Sequence, residues 1–402
     1  MNFQLIEVTP GSFRRFHDAA RQLYRDDPNW IAPLDMEVEN IFTPGKNRQL
    51  DDGEAIRWVL VDERGKYAGR VAAFINHGTN RGSALPAGGI GFFECIDDQE
   101  AANVLFDVAV EWLKQRGAVV IDAGINFGEN FSYWGVLIEG FTKQGYGMPY
   151  NKCYYQKLYE AWGFRDYFQQ FSYHMDPWKP LPERMLRFAD FLGSRPGYSF
   201  RHFVKSEKKK FIQDLVDIFN TTWDDYMEDY HPLSAADIEK IIEGAGMLIE
   251  EEFIWFAYKD ERPIGMVVAF PDVNQLLVHF NGKLNFLKIL KLLWLKRRHA
   301  ITRNRVLLAG VIPEYQNSGV IAPLFYEMLK LVRKRPWFTE IELSWVGDYN
   351  PRMRKVYEQI GAVQAKRHIT YRFITDPAIP FERFTNMGGN SMLRREQLKK
   401  EQ

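Results

Sequence analysis

Val306-Leu307-Leu308-Ala309-Gly310-Val311-Ile312-Pro313-Glu314-Tyr315-Gln316-Asn317-Ser318-Gly319-Val320-Ile321-Ala322-Pro323-Leu324-Phe325 changes character twice along its length. The opening run, 306–312, is uncharged and apolar, which suits a buried strand. Pro313 ends it, and a short polar turn carrying Gly319 follows. Apolar side chains then recur at Phe325, Met328, Leu329, Leu331 and Val332, the spacing of a helix packed on one face. A strand that feeds a small turn and then a helix places unpaired N–H groups and the positive end of a helix dipole at that turn. Such a turn can cradle a phosphate.

Working outward, the chain repeats itself. Val61-Asp62-Glu63-Arg64-Gly65 precedes Gly69-Arg70-Val71-Ala72-Ala73-Phe74, and Lys259-Asp260-Glu261-Arg262-Pro263 precedes Gly265-Met266-Val267-Val268-Ala269-Phe270. Leu158-Tyr159-Glu160-Ala161-Trp162-Gly163 likewise returns as Val356-Tyr357-Glu358-Gln359-Ile360-Gly361. Asp62 to Asp260 and Tyr159 to Tyr357 are both offsets of 198. One offset for two separate segments indicates a tandem duplication, with a boundary in the Pro- and Gly-rich stretch 177–197. We read a first domain over 1–180, a second over 181–378 and a polar tail over 379–402. In each half the pattern predicts an opening strand (3–8; 198–204) and a helix led by serine (12–24; 206–221). A hairpin follows (55–74; 253–270), then strand and helix (89–95 and 99–115; 306–312 and 319–333). A strand (119–123; 339–345), a helix (154–162; 351–360) and an extended end (164–174; 363–373) complete each half. The fold class is therefore α/β, with a mixed sheet and flanking helices in each half.

The chain has 402 residues with 52 basic and 52 acidic side chains, and 46% of it is hydrophobic. That balance excludes a disordered chain and argues against a nucleic-acid binder, which needs an excess of cations. Cys95 and Cys153 are the whole thiol complement, which predicts a reducing, cytoplasmic setting rather than a disulfide framework. The N-terminus lacks the charged-then-apolar pattern of a signal peptide. No histidine stands in a metal-binding spacing, so no metal is expected.

The turn and the segment downstream of it resemble the GNAT acyltransferase superfamily. Gln316 and Gly319 match its Q/R-x-x-G-x-G/A motif, whereas Ile321 stands where a small residue belongs. Asn350 to Ala362 resembles the N-x6-Y-x-x-x-G-F signature, with Ala362 in place of Phe. The resemblance covers both halves. It is nearest to a bacterial group of two-domain GNAT-like proteins, on the run 310–361 and on Met148-Pro149-Tyr150-Asn151. It implies two tandem GNAT-like domains, each a twisted mixed sheet with two splayed parallel strands. It also implies transfer of an acyl group, from acetyl-CoA or another acyl-CoA, to a small-molecule or protein amine. By the same resemblance the pyrophosphate sits on Gln316, Asn317, Ser318, Gly319 and Val320. The backbone N–H of Val311 polarises the thioester, Asn350 contacts the pantetheine, and Tyr357 protonates the leaving thiolate. Glu342 and Asp348, flanking the second splayed strand, are candidate bases.

In the first half the equivalent turn, Cys95-Ile96-Asp97-Asp98-Gln99-Glu100, has no glycine and three acids. It is expected not to hold a pyrophosphate. The aromatic insertion 126–153 reads either as a packed lid or as an acceptor pocket lined by Tyr133, Trp134, Tyr150 and Asn151. The segment 283–305 holds eight basic residues and no acid. It reads as a packed helix with solvated cations, as a membrane-surface contact, or as help for the adenosine phosphates. Two alternatives stay open. One is an aminoacyl-tRNA-dependent transferase of similar tandem fold. The other is a non-catalytic ligand-binding protein whose phosphate turn is closed by Ile321.

Overall fold

The structure, a computed structural model, describes residues 2–127, 134–223, 232–245 and 250–385. In chain order the first half forms β1 (Phe3–Glu7), α1 (Arg14–Leu23), α2 (Asp35–Ile41), β2 (Gly53–Asp62), β3 (Tyr67–Asn76), β4 (Ala87–Cys95) and α3 (Gln99–Lys114). It continues with β5 (Val120–Ala123), β6 (Val136–Glu139), α4 (Tyr155–Trp162) and β7 (Arg165–Met175). The second half forms α5 (Glu183–Gly193), β8 (Tyr198–His202), α6 (Lys208–Trp223), α7 (Ala235–Ala245), β9 (Ile254–Lys259), β10 (Arg262–Pro271) and the single turn α8 (Asn274–Leu277). After these come α9 (Phe286–Arg297), β11 (Arg303–Val311), α10 (Ile321–Val332), β12 (Glu340–Gly347), α11 (Pro351–Gln359) and β13 (Val363–Ile374). Two compact units result. The first consists of Met1–Phe171, Leu276–Arg297 and Lys366–Phe384; the second of Ser172–Gln275, Arg298–Ala365 and, at its described end, Thr385.

In the first unit, β1 to β4 form an antiparallel meander, and β5 joins β4 in parallel. Beyond β5 lies β13, antiparallel, with Tyr371 opposite Ala123 and Ile374 opposite Val120. The strand that ends the second half in sequence thus completes the first unit. The core forms because α3 repeats small and large apolar residues at helical spacing: Ala101, Ala102, Leu105, Phe106, Ala109 and Leu113 are all fully buried. Phe106 stacks on Phe93 of β4 with ring centroids 4.3 Å apart, and each such ring is worth about 1.5–3 kcal/mol of burial. Asp98 starts the helix, its carboxylate accepting from the Ala101 N–H at 2.9 Å.

The second unit has the order β12-β11-β10-β9-β8, with the last residues of β7 beside β12. The β9–β10 hairpin turns through Asp260 and Glu261, both at positive φ, as a two-residue turn requires. All the strands and helices expected in both halves are present, within a few residues of the expected ends. Three local expectations change. Ser12 does not cap α1; its hydroxyl instead accepts from the Thr9 N–H, and Phe13 stands at the cap position. Ser206 lies within a short 3-10 turn ahead of α6. The boundary stretch 177–197 contains α5, whose Met185, Ala189 and Leu192 are buried. No described helix is long and apolar enough to cross a membrane.

Candidate active site

The second unit opens where the resemblance implied. Strands β11 and β12 pair in parallel from Arg303/Glu340 through Val306/Leu343. The register ends there, although β11 runs on to Val311 and β12 to Gly347. Beyond that fork, Leu307, Leu308 and Ala309 on one strand and Ser344 and Trp345 on the other become partly exposed. The Ile312 N–H donates to the Ile264 carbonyl of β10. Because strand amides alternate in direction, those of Val311 and Ala309 face the opposite side, toward the opening. The Val311 carbonyl accepts from the Gln316 side-chain amide at 3.3 Å, which ties the turn to the strand end.

The turn itself suits an anion. Gly319 sits at φ +78°, where side-chain-bearing residues are strained. A Cβ at Gly319 would also lie 2.9 Å from the Phe188 ring of α5. Helix α10 has no side-chain cap and no acid in its first turn, so its leading N–H groups carry no anionic partner from the helix itself. Gln316 and Asn317 are exposed, Ser318 and Gly319 half-buried, and Val320 buried. Ile321, in the first turn of α10, is half-buried.

Asn350 caps α11, its side-chain oxygen accepting from the Met353 N–H at 3.1 Å. Tyr357 is buried on the same helix, edge-on to Tyr173 with centroids 5.2 Å apart. Burial pushes its hydroxyl well above the ordinary tyrosine range, with Tyr173 adding to the shift. It therefore stays protonated at neutral pH. Glu342 stands on the paired side of the fork, directly opposite Arg305. It is 3% exposed, with Arg305 Nε at 3.2 Å and Arg303 Nη1 at 3.5 Å. Arg303 also reaches Asp272 at 3.2 Å and Glu340 at 3.0 Å. Glu342 thus lies inside a buried ion network on the paired side of the fork. Asp348, immediately after β12, lies at the open end. The ion network was not anticipated. Its signal was the alternation Arg-x-Arg on one strand and Glu-x-Glu on the other, which becomes readable only with the parallel register.

The first unit has the same fork, and it is filled. Strands β4 and β5 pair through Ile90/Ala123 and then part. Past that point the Phe92 N–H donates to the Asn126 side chain at 2.7 Å. Cys95 is held at both backbone ends, donating to the Tyr155 hydroxyl and accepting from the Tyr154 hydroxyl, each at 2.8 Å. Glu94 is buried among Tyr24, Tyr155 and Arg70. Burial pushes its carboxyl above the ordinary value, although Arg70 and the two hydroxyls oppose the shift. Asp98 meanwhile occupies the helix N-terminus that a pyrophosphate would need.

The acceptor residues expected in the insertion are engaged within the first unit. Asn151 clamps β6, bonding both the N–H and the carbonyl of Leu137 at 2.6 and 3.0 Å. The Tyr150 hydroxyl donates to Asp27; burial, then that carboxylate, push it up to about 12. Trp134 is 2% exposed and lies edge-on to His368 at 4.7 Å. Each of these three side chains thus has a packing or hydrogen-bonding partner within the first unit. Tyr133 falls outside the described residues.

Comparison with known proteins agrees with this geometry. Residues 213–362 match the acetyltransferase (GNAT) family. A protein of Caulobacter vibrioides named bacterial ceramide synthase is 28% identical over 368 residues, 90% of this chain and 95% of that protein. Protein YghO of Escherichia coli is 29% identical over 357 residues, 87% of this chain and 89% of YghO. Among solved structures, a tandem GNAT protein from the clavulanic acid biosynthesis pathway superposes with a TM-score of 0.54 at 12% identity, covering 95% of this chain and all of that one. A GCN5-related N-acetyltransferase from Sphaerobacter thermophilus gives 0.52 at 14% identity, covering 94% and 98%. Two units each hold a forked parallel pair, the tandem GNAT-like fold is shared with solved tandem GNAT structures, and the match to the acetyltransferase (GNAT) family spans the open fork of the second half.

Proposed function

We propose that the chain transfers an acyl group from an acyl-CoA to the nitrogen of a long-chain amino alcohol, using the second unit alone for the acyl donor. The observation that carries the donor half of this reading is the fork. Pairing of β11 and β12 stops at Val306/Leu343 beside a glycine turn whose helix has no cap of its own. Gln316 to Val320 would receive the pyrophosphate, and the exposed edge of β11 the pantetheine. The Val311 N–H would hold the thioester carbonyl oxygen, in the manner of an oxyanion donor. The amine nitrogen forms the new bond to the carbonyl carbon as the carbon–sulfur bond breaks. Tyr357 supplies a proton to the departing sulfur, and Asp348 takes the proton that the amine sheds. The role of base passes to Asp348 because Glu342 is committed to Arg305 and Arg303.

The acceptor half rests on a relative. A ceramide is the fatty amide of a long-chain amino alcohol, and the Caulobacter protein bearing the name bacterial ceramide synthase aligns with nearly the whole chain. The partly exposed Leu307, Leu308, Ala309 and Trp345 at the fork offer apolar surface suited to hydrocarbon. The test is release of free CoA thiol from acetyl-, dodecanoyl- and palmitoyl-CoA, each with sphinganine or with a short polar amine. Thiol release that needs sphinganine is the expected result. Release with the polar amine alone would remove the acceptor assignment. No release from any pair, together with no rise in melting temperature on adding any acyl-CoA, would remove the donor assignment too.

A further inference from the structure

We propose that α9 is an interfacial helix that seats the first unit on an anionic lipid surface. It belongs to the first unit, held at its base by the Asp35 N–H to the Gly282 carbonyl at 2.9 Å and by Arg21 Nε to the Asn281 carbonyl at 3.2 Å. Its outer side is not what an ordinary surface helix shows. Phe286 and Leu287 are 73% and 72% exposed, Trp294 57%, Leu290 48% and Leu293 38%. These five fall at relative positions 0, 1, 4, 7 and 8, a single stripe down one helix face. Leu292 is the buried residue of the helix, and half-buried Lys288, Leu295 and Lys296 flank it on the opposite face. The helix therefore rests on the protein by its mixed face and turns its apolar face outward.

Charge decides what covers that stripe. No acidic residue occurs between Asp272 and Glu314, while Lys283, Lys288, Lys291, Lys296 and Arg297 cluster on and around α9. Lys283, Lys291 and Arg297 are exposed. A second copy docking about a two-fold axis would set this cationic patch against itself. Nucleic acid would meet phenylalanine, leucine and tryptophan where it needs cations and backbone donors. An anionic bilayer satisfies both features at once, taking the apolar stripe below the headgroups and pairing the cations with lipid phosphates. Docking of this kind needs no acyl transfer, so it stands or falls separately from the reaction proposed above.

The experiment is co-sedimentation of the full chain with vesicles of phosphatidylcholine alone or with 30% phosphatidylglycerol. The expected result is binding to the anionic vesicles that falls with added salt. The double variant Leu287→Glu, Trp294→Glu should abolish it. The variant Lys291→Gln, Arg297→Gln should weaken it about 25-fold, at about fivefold per cation. All four side chains are exposed, so melting temperatures within a degree or so of the parent would show intact folding; vesicle binding is then read only from folded protein. The inference is overturned if the parent stays in the supernatant with anionic vesicles at low salt. It is equally overturned if the glutamate variant still binds, or if the stripe mediates a dimer in sedimentation velocity without vesicle binding.

Discussion

Replacing Gly319 by alanine tests the phosphate turn most sharply. The residue sits at φ +78°, where a Cβ costs about 1–2 kcal/mol. The added carbon would also lie 2.9 and 3.0 Å from two carbons of the Phe188 ring. Phe188 is 39% exposed, so its ring has room to swing aside. The steric part should then be small, and the backbone part should dominate. The expected loss is about 1–2 kcal/mol, which lowers the melting temperature of a unit this size by roughly 2–8 °C. If the turn relaxes to escape the strain, the amides of Gly319 and Val320 change direction. Restoring them on binding costs the same free energy, or about 5- to 30-fold in acyl-CoA affinity. Calorimetric titration with a non-reactive acyl-CoA thioether reads the second effect and thermal unfolding the first. The double variant Gly319→Ala, Phe188→Ala separates the contributions, since it removes the contact and leaves the strain. A Gly319→Ala protein that melts within 0.3 kcal/mol of the parent and binds equally well would refute the reasoning.

Three further outcomes are expected. Tyr357→Phe should lower kcat by about 100-fold or more without weakening acyl-CoA binding, since it deletes only the proton that the sulfur needs; an unchanged kcat would remove Tyr357 from the reaction. Glu342→Gln should destabilise the second unit by about 3–5 kcal/mol, because it leaves Arg305 buried without its anion. Asp348→Asn should instead slow transfer at unchanged melting temperature, and the reverse pattern would return the base role to Glu342. Glu39 reports on acid stability. Burial would raise its carboxyl, but hydrogen bonds from His17 and Arg57 outweigh that and hold it at about 2. A lowered folded-state value means that its stabilisation is complete above the unfolded carboxyl near 4.5 and is lost as pH falls toward 2. Urea melts of the parent and Glu39→Gln should differ by about 1–2 kcal/mol at pH 6, after allowing for solvent screening, and converge near pH 2. A constant difference would contradict the assignment.

Much of the framework was legible because its signals are local. The Asp-Glu-Arg turns marked both hairpins, and the acid cluster at Asp98 marked the start of α3. The fork was implied only by resemblance, since strand composition is the same on either side of Val306/Leu343 and pairing is a property of two segments. Helix α5 was hidden by the prolines and glycines around it, although Met185, Ala189 and Leu192 keep helical spacing. The roles of Tyr150 and Asn151 could not be read locally. Their partners, Asp27 and the Leu137 backbone, lie 123 and 14 residues away, and an aromatic or amide near glycines looks the same whether it lines a pocket or clamps a strand. The ion partners of Glu342 were hidden for the same reason: its cross-strand arginine is assigned by register, not by sequence proximity. The exposed stripe of α9 was half legible. Its cations and apolar residues were plain in sequence, but which face the protein covers was not.

Hydrogen exchange with and without a non-reactive acyl-CoA thioether tests the account most directly. Slowed exchange is expected along residues 307–311 of β11, beyond the end of its pairing with β12, and across the turn 316–322, with residues 91–101 of the first unit unchanged. Protection that appears at 91–101 instead, or at neither stretch, would contradict it.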